Sequence, residues 1–534
     1  MGIINEAIYY EISLGRDVLI IAPSLGHVTD LVEKREFHGV RVEDGKFLPL
    51  YGPVKRCKKC GHQWVEGKEC PKCGGKDFYS SLNQVRFLRI LAEEAGRVMI
   101  GTDPDYEGEK IAWDLYNLLK PYAEEIKRAE FHEVTRKAIL EAIENPREFN
   151  ENMVKAQVVR RIEDRWIGFE LSQQLIERFG ERNLSAGRAQ TPVLSWVVER
   201  MEEHKRKKKF ARIPDLGIEV PVKERIEGEK EIEIEVKKIE EKEINPPPPY
   251  STDAVLRDAG NILRLSLRRT MELLQRLFEL GLITYHRTDS VRVSEKGWEV
   301  ARRFLKEEFI PRKYGEGGAH ECIRPTRPIT GEELKRYEEE MNLAEKIGEE
   351  GIRLYDLIFR RFMASQSKPA SGKIAIIKIR LDGYEHEEER LVEIKGGFYS
   401  LFPYLHRSKP LPPSGRMKVR IVYTERHEKP LYTQAELIKT MKEKGIGRPS
   451  TYSKIVEKLF IRGYVIEKKD GIIATSKGRR VLEFLFSKYR DFVSEERTRI
   501  LEKKMQEVEE GKRDYTALLE EVYSEIRKIR EGEQ

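Results

Sequence analysis

Four cysteines, in the pattern Cys57-x2-Cys60-x9-Cys70-x2-Cys73, lie in a polar stretch whose turns are set by Gly61, Pro71 and Gly74. Paired thiolates at this spacing suit one tetrahedral zinc ion with no open coordination position, a structural rather than a catalytic site. The alternative is four unliganded thiols. It is disfavoured because residues 55–76 are too polar to fold by apolar burial alone, so metal binding supplies the folding energy. Cys322 stands apart. The segment Met1–Tyr10 has no basic region followed by an apolar core, which points to a cytosolic chain in which disulfides do not persist. No apolar run reaches the ~18 residues of a membrane span, so membrane insertion is not expected.

At about 150 residues per domain, 534 residues imply three to four domains. Lys and Arg (99) nearly balance Asp and Glu (92), giving +7 with 36% charged residues, so the chain is neither an acidic disordered segment nor a uniformly basic tail. Dense mixed charge with few Met and Cys suits ion-pair networks at high temperature, and a thermophilic source is expected. Residues 16–22 and 97–101 read as buried strands of an α/β layer. Residues 152–204 carry helical periodicity broken near Asn183–Gly187. Residues 217–244 alternate as a strand with one wet face, and 372–430 return to that pattern. The run Pro246–Pro249 marks a stiff domain connection. Leu277, Phe278 and Gly281 recur in spacing as Leu459, Phe460 and Gly463, each an apolar helix stopped by glycine and followed by a strand, a winged-helix-like unit.

Three further stretches carry chemistry. In Thr102-Asp103-Pro104-Asp105-Tyr106-Glu107-Gly108-Glu109, carboxylates at alternate positions follow a strand and precede a helix, where Asp103, Asp105 and Glu107 can share one hard cation, magnesium. Such a density of acids is costly without a cation. Glu109 is read instead as favouring the helix N-terminus. In Gly281–Ser290, Tyr285 stands two residues before Arg287, which would share its face in an extended stretch and favour phenolate and phosphate charge. Alone, such a tyrosine is more often a core or rim aromatic. His320 and Arg324 sit in Ala319-His-Glu-Cys-Ile-Arg-Pro after the loop GEGG, where His320 can hold a phosphate or relay a proton, or simply be a surface histidine. Arg160, Arg161, Asp164 and Arg165 share a helix. Ser185, Arg188 and Gln190, and then Arg448, Thr451 and Tyr452, lie in small-residue turns suited to phosphate backbones. The run Lys205–Lys209 reads as a solvated helix end.

Taken together, DPDYEGE, ITYHRTDS, AHECIRPT, LSAGRAQ, RRIEDRWIGFELS and GIGRPSTY resemble the type IA DNA topoisomerases over essentially the whole chain. The zinc element between GHVTDL and DPDYEGE, with FHEVTR and RWIGFEL, most resembles the topoisomerase module of reverse gyrase. The resemblance implies a multidomain α/β and α+β toroid around a hole for duplex DNA. Its parts are a Toprim domain (1–143) whose zinc insertion is 55–76, a helical DNA-binding domain (144–204 with 431–534), a β-rich hinge or gate (205–250 with 369–430), and a winged-helix-like tyrosine domain (251–368). It implies that Tyr285 forms a 5′-phosphotyrosyl link in single-stranded DNA, with Arg287 and His320 on the phosphate and magnesium on Asp103, Asp105 and Glu107. Arg161, Arg188, Gln190 and Thr288 fall in its DNA-contacting motifs. Cys322 replaces the family's usual Ala. The Glu-Ser-Pro-x-Lys-Ala-like opening of the Toprim domain is absent, and neither Glu6 nor Glu11 has that context. No Walker-type loop occurs either, so the chain is expected to be one half of a divided reverse gyrase or a cut piece of one, with ATP acting only through a helicase-like partner that also supplies the first Toprim strand. A stand-alone relaxing enzyme and a non-catalytic DNA-binding scaffold are the alternatives.

Overall fold

The computed structural model describes the chain except residues 1, 5–6, 34–35, 316–319, 341–346 and 532–534. Met1, Glu6, Ala319 and the GEGG loop beyond Gly315 therefore lie outside the described residues. The chain forms two compact units, Met1–Pro192 with Glu483–Gln534, and Val193–Leu482. Among the described residues, no helix is long and apolar enough to cross a membrane.

In the first unit, β1 (Gly2–Ile4), β2 (Ala7–Leu14) and β3 (Asp17–Ile21) form an antiparallel meander. This corrects the reading of residues 16–22 as a buried α/β strand: Val18 is 62% exposed and Ile21 44%. Apolar content alone does not say whether another layer covers a strand. The second expected strand, β4 (Arg97–Ile100), does lie in a parallel pair with β5 (Glu125–Arg128). Helix α1 (Ser81–Ala95) precedes the pair and α2 (Tyr106–Leu119) connects its two strands, and Val28, Val85, Ile100, Ala112, Leu115 and Ile126 form the core. The long α3 (Glu151–Phe179) is capped by Asn150 and stopped at Gly180, whose φ is +70°. It packs against the helices Glu495–Glu509 and Tyr515–Glu531, burying Trp166, Ile167 and Leu171.

The second unit holds a six-stranded antiparallel sheet. Its strands are β6 (Lys207–Ile213), β7 (Ile218–Val222), β8 (Gly228–Ile244), β9 (Ala370–Leu381), β10 (Tyr384–Lys395) and β11 (Gly415–His427), in the order β7-β6-β11-β8-β9-β10. Ile232 pairs with Leu381 and Ile234 with Ile379 on the buried face. Between them Glu233 pairs with Arg380, whose Nη1 reaches its carboxylate at 3.1 Å on the wet face. The alternation EIEIEV thus acts as expected. The lysine run is corrected: the helix ends at Lys205, and exposed Lys207–Lys209 open β6.

The internal repeat is real at the level of helix stops. Helix α4 (Leu267–Glu279) ends with the Leu282 amide donating to Leu277 O at 2.9 Å, and α5 (Tyr452–Ile461) ends with the Tyr464 amide donating to Leu459 O at 3.0 Å. Gly281 and Gly463 both have φ +67°, the left-handed turn this stop needs. Only the second copy goes on into a hairpin, β12 (Val465–Lys468) with β13 (Gly471–Ala474). After the first, the chain pairs by an isolated bridge, Ile283 with Pro325.

Candidate active site

The four thiols gather as their spacing predicts. Cys57 Sγ lies 3.6 Å from Cys73 Sγ, and Cys60 Sγ 3.6 Å from Cys70 Sγ. All four sulfurs fall within 4.8 Å of one another. A tetrahedron with metal–sulfur bonds of about 2.3 Å has edges of about 3.8 Å, so the set fits zinc. Two equal turns build it: the Gly61 amide donates to Cys57 O at 2.9 Å and the Gly74 amide to Cys70 O at 2.8 Å, with φ near +70° at Gly61 and +67° at Gly74. Trp64 and Phe78 pack against the cysteines.

The acidic loop leaves the end of β4. Asp105 caps α2, its Oδ1 accepting from the Gly108 amide at 2.8 Å, and Thr102 Oγ1 donates to Gly108 O at 2.7 Å. A Cβ at Gly108 would sit 1.9 Å from Asp103 O, so only glycine lets the helix meet the loop this closely. Asp103 and Glu107 are half-buried and Asp105 buried. Among the described residues, only the cysteines form a set of three or more ligating side chains within 4.8 Å, so the three acids are not drawn that close. Magnesium keeps several waters and needs one or two carboxylates, and this donor set of hard oxygens fits that demand.

Glu109 lies in the first turn of α2, as expected, and its carboxylate also gains partners from distant segments. Buried at 1% exposure, it accepts from Arg128 Nε at 3.1 Å, Arg147 Nη2 at 2.7 Å and the Asn150 amide at 2.7 Å. These three donors hold its carboxyl below the usual range although burial pulls the other way.

Beside the acids, burial holds the His27 imidazole below its ordinary pKa, against the pull of Glu107 and Asp30. Asp30 accepts from Arg161 Nε at 3.1 Å, and Arg165 Nη1 donates to the carbonyls of Leu31 at 2.8 Å and Val32 at 2.9 Å. Arg161 stays half exposed. Arg160 and Arg188 are instead drawn inward. Arg160 forks onto Glu502 at 2.8 and 2.7 Å, while Arg188 reaches Glu502 Oε1 and Asp164 Oδ1, each at 2.8 Å. Glu163 is fully buried, and desolvation raises its carboxyl well above the usual range. Ser185 and Gln190 are buried, and neither amide atom of Gln190 has a hydrogen-bond partner among the described residues.

In the second unit, three segments converge on Tyr285, which is 2% exposed. Thr284 ties two of them: its amide donates to Arg324 O at 2.9 Å and its hydroxyl to Cys322 O at 2.8 Å. This brings the His320 ring to 6.1 Å from the Tyr285 ring, with Phe278 at 5.2 Å. Tyr250 supplies the third segment, its carbonyl accepting from the Ile323 amide at 2.8 Å. The chain bends at His286–Arg287, so strand alternation does not place Arg287, which corrects that expectation. Its Nη2 donates to Gln275 Oε1 at 3.4 Å. Arg324 is buried and forks onto Glu321 at 2.9 and 2.8 Å. Cys322 is buried, and loss of water pushes its thiol pKa up. The Thr288 amide donates to Thr252 Oγ1 at 2.9 Å.

The glycine-rich stretch 445–452 joins this site. Arg448 donates its amide to Thr451 Oγ1 at 2.9 Å, and the Tyr452 hydroxyl reaches the Asp289 carboxylate at 3.4 Å. Lys442 donates to Asp253 Oδ1 at 2.6 Å and to Asp289 O at 3.4 Å. Burial, then Asp289, pushes the Tyr452 phenol up. Asp253, Lys442, Asp30, Arg128, Arg147 and Glu502 escape local pattern reading. Only Asp30, within GHVTDL, had a motif to signal it.

A family model described as DNA topoisomerase matches residues 148–220 and 212–520, and a Toprim domain model matches residues 5–134. The chain is 48% identical to reverse gyrase of Pyrococcus furiosus over 98% of its own length and 45% of that protein's. With reverse gyrase 1 of Aquifex aeolicus it shares 46% identity over 97% of its length and 44% of that protein's. It thus spans just under half the length of these curated relatives. The structure of full-length topoisomerase I from Thermotoga maritima superposes with a TM-score of 0.75 at 31% identity, covering 95% of this chain and 85% of that one.

Proposed function

Because the chain belongs to the type IA DNA topoisomerase family, we propose that it is the strand-cleaving module of a reverse gyrase whose helicase-like ATPase is carried on a separate polypeptide. The likeness to reverse gyrases over nearly all of this chain carries the reverse-gyrase part of this reading. The Tyr285 phenol attacks a phosphorus of single-stranded DNA, the phenolic oxygen–phosphorus bond forms, and the bond to the 3′-oxygen breaks. The phenolic proton leaves and the 3′-oxygen gains one. Reversal reseals the strand, and because the ester is exchanged rather than hydrolysed, neither step needs ATP. His320 beside the phenol and Arg287 two residues on stabilise the charge on phosphorus. Asp103, Asp105 and Glu107 would hold magnesium, which when bound supplies charge that orients and neutralises the DNA phosphate.

The DNA path runs over the half-exposed Arg161, with Asp164, Arg165, Ser185 and Gln190 around it and Arg160 and Arg188 supporting it from within. Thr288, Arg324, Arg448, Thr451 and Tyr452 shape the surroundings of the tyrosine. The four segments described above act as Toprim, helical, gate and tyrosine domains, and the protein works in the cytoplasm of a thermophile.

The test incubates the chain with magnesium and a single-stranded oligonucleotide and traps the product with denaturant. Wild type yields a covalent adduct and Tyr285→Phe none; the ATPase chain together with ATP then adds positive supercoils to a plasmid. Relaxation of negative supercoils by this chain alone would favour a stand-alone enzyme. Absence of any adduct with the ATPase chain present would leave a scaffold.

A further inference from the structure

The loop carrying Asp103 and Asp105 is held from beneath by one side chain. Arg128, the last residue of β5, is 0% exposed. Its Nη1 donates to Ile100 O at 2.9 Å and to Ala129 O at 2.7 Å. Its Nη2 donates to Thr102 O at 2.8 Å and to Asp103 O at 2.9 Å, and its Nε to Glu109 Oε2 at 3.1 Å. All five N–H groups of the guanidinium are thereby used. Four of their acceptors lie before the loop, within it, and on the first turn of α2 after it, and the fifth, Ala129 O, follows Arg128 in the chain. A planar fork with fixed donor directions sets these main-chain positions relative to one another, as a flexible ammonium with a single nitrogen does not. Arg147 also holds Glu109, through Nη1 at 2.9 Å and Nη2 at 2.7 Å, but its other bonds go to Glu130 and Glu148 O rather than to the loop.

We propose that Arg128 is the positioning residue of the acidic loop, fixing the main chain from Ile100 to Glu109 so that Asp103, Asp105 and Glu107 are presented to a divalent cation as a prearranged set. The inference rests on the reading of those three acids as the magnesium site. A loop already ordered loses little conformational entropy on binding, whereas a loosened one must be ordered by the ion. Removing such outer supports typically weakens metal affinity by about 10- to 100-fold.

The probe is Mn2+ alone, titrated into the full chain and followed by its electron paramagnetic resonance signal, with circular dichroism as the check on folding. Arg128→Lys is expected to stay folded and to bind Mn2+ about 10- to 100-fold more weakly. Arg147→Gln, which removes an ion pair of Glu109 but no loop bond, is expected to keep wild-type affinity while losing thermal stability. If Arg128→Lys does not fold, Glu109→Gln takes its place: it removes the charge from the anchor of Nε and is expected to weaken Mn2+ binding by a smaller factor. Wild-type affinity in folded Arg128→Lys, or in Glu109→Gln when that variant stands in, overturns the proposal, as does an equal loss in Arg147→Gln. The double variant Asp105→Asn, Glu107→Gln separates the two claims. If it loses Mn2+ binding while Arg128→Lys keeps it, positioning alone fails; if it binds Mn2+ as wild type does, the magnesium reading itself fails.

Discussion

Arg188 donates from Nη1 to Oε1 of Glu502 at 2.8 Å across 314 residues of sequence. The same carboxylate, 5% exposed, takes both Nη atoms of the mostly buried Arg160, so one acid holds two guanidiniums. This contact closes the first unit, because Glu502 lies on the segment that returns after the whole second unit.

Glu502→Ala leaves Arg160 and Arg188 as buried charges with less compensation, which typically costs about 3–5 kcal/mol. Glu163 and Asp164 still lie 2.7 and 2.8 Å from Arg188 Nε, so Arg160 bears most of the loss. Urea unfolding of the variant against wild type measures the loss; a change below about 1 kcal/mol would mean that the network carries little of the unit's stability.

His286 is fully buried, and neither ring nitrogen has a hydrogen-bond partner among the described residues. Burial, then Arg287, pulls its pKa down from 6.5 to about 3. Between those two values the unfolded chain takes up a proton that the folded chain refuses, so stability falls as pH drops below 6.5. His286→Met removes the unpaired polar atoms and is expected to gain about 1–3 kcal/mol at neutral pH and to flatten the acid side of the stability curve. Destabilisation at neutral pH would contradict this account.

One zinc per chain should be released by a thiol-reactive reagent and measured with a metallochromic dye. Structural zinc contributes on the order of 10 kcal/mol to folding of its module, so chelation should expose residues 55–80 to protease and alter the emission of Trp64, which packs on the cysteines. Unchanged proteolysis after zinc loss would show that the module folds without metal.

DNA affinity should fall steeply with salt despite the net charge of only +7. Of Arg160, Arg161 and Arg165, Arg161 is the half-exposed one, held by Asp30. Arg161→Ala should lower the slope of log affinity against log salt by about 0.7 for single strands. Fluorescence anisotropy at several salt concentrations reads that slope, and an unaltered slope would remove Arg161 from the DNA path.

Features whose causes lie close together in the chain were legible in the sequence. The cysteine spacing with its glycine turns places Cys57 and Cys73 together across 16 residues. The alternation of β8 places Ile232 and Ile234 on the buried face, and Gly281 and Gly463 stop their helices in the same way. The acidic loop at the end of β4 was equally visible, because strand, turn and helix cap are local properties of backbone and spacing. Tertiary structure alone decided which groups are buried and with whom. It left β3 exposed, bent the chain between Tyr285 and Arg287, added Arg128 and Arg147 as partners of Glu109 in the first turn of α2, and brought Glu502 to Arg188. Burial and charge pairing depend on which distant segment arrives at a side chain, and a periodic pattern carries no information about that arrival.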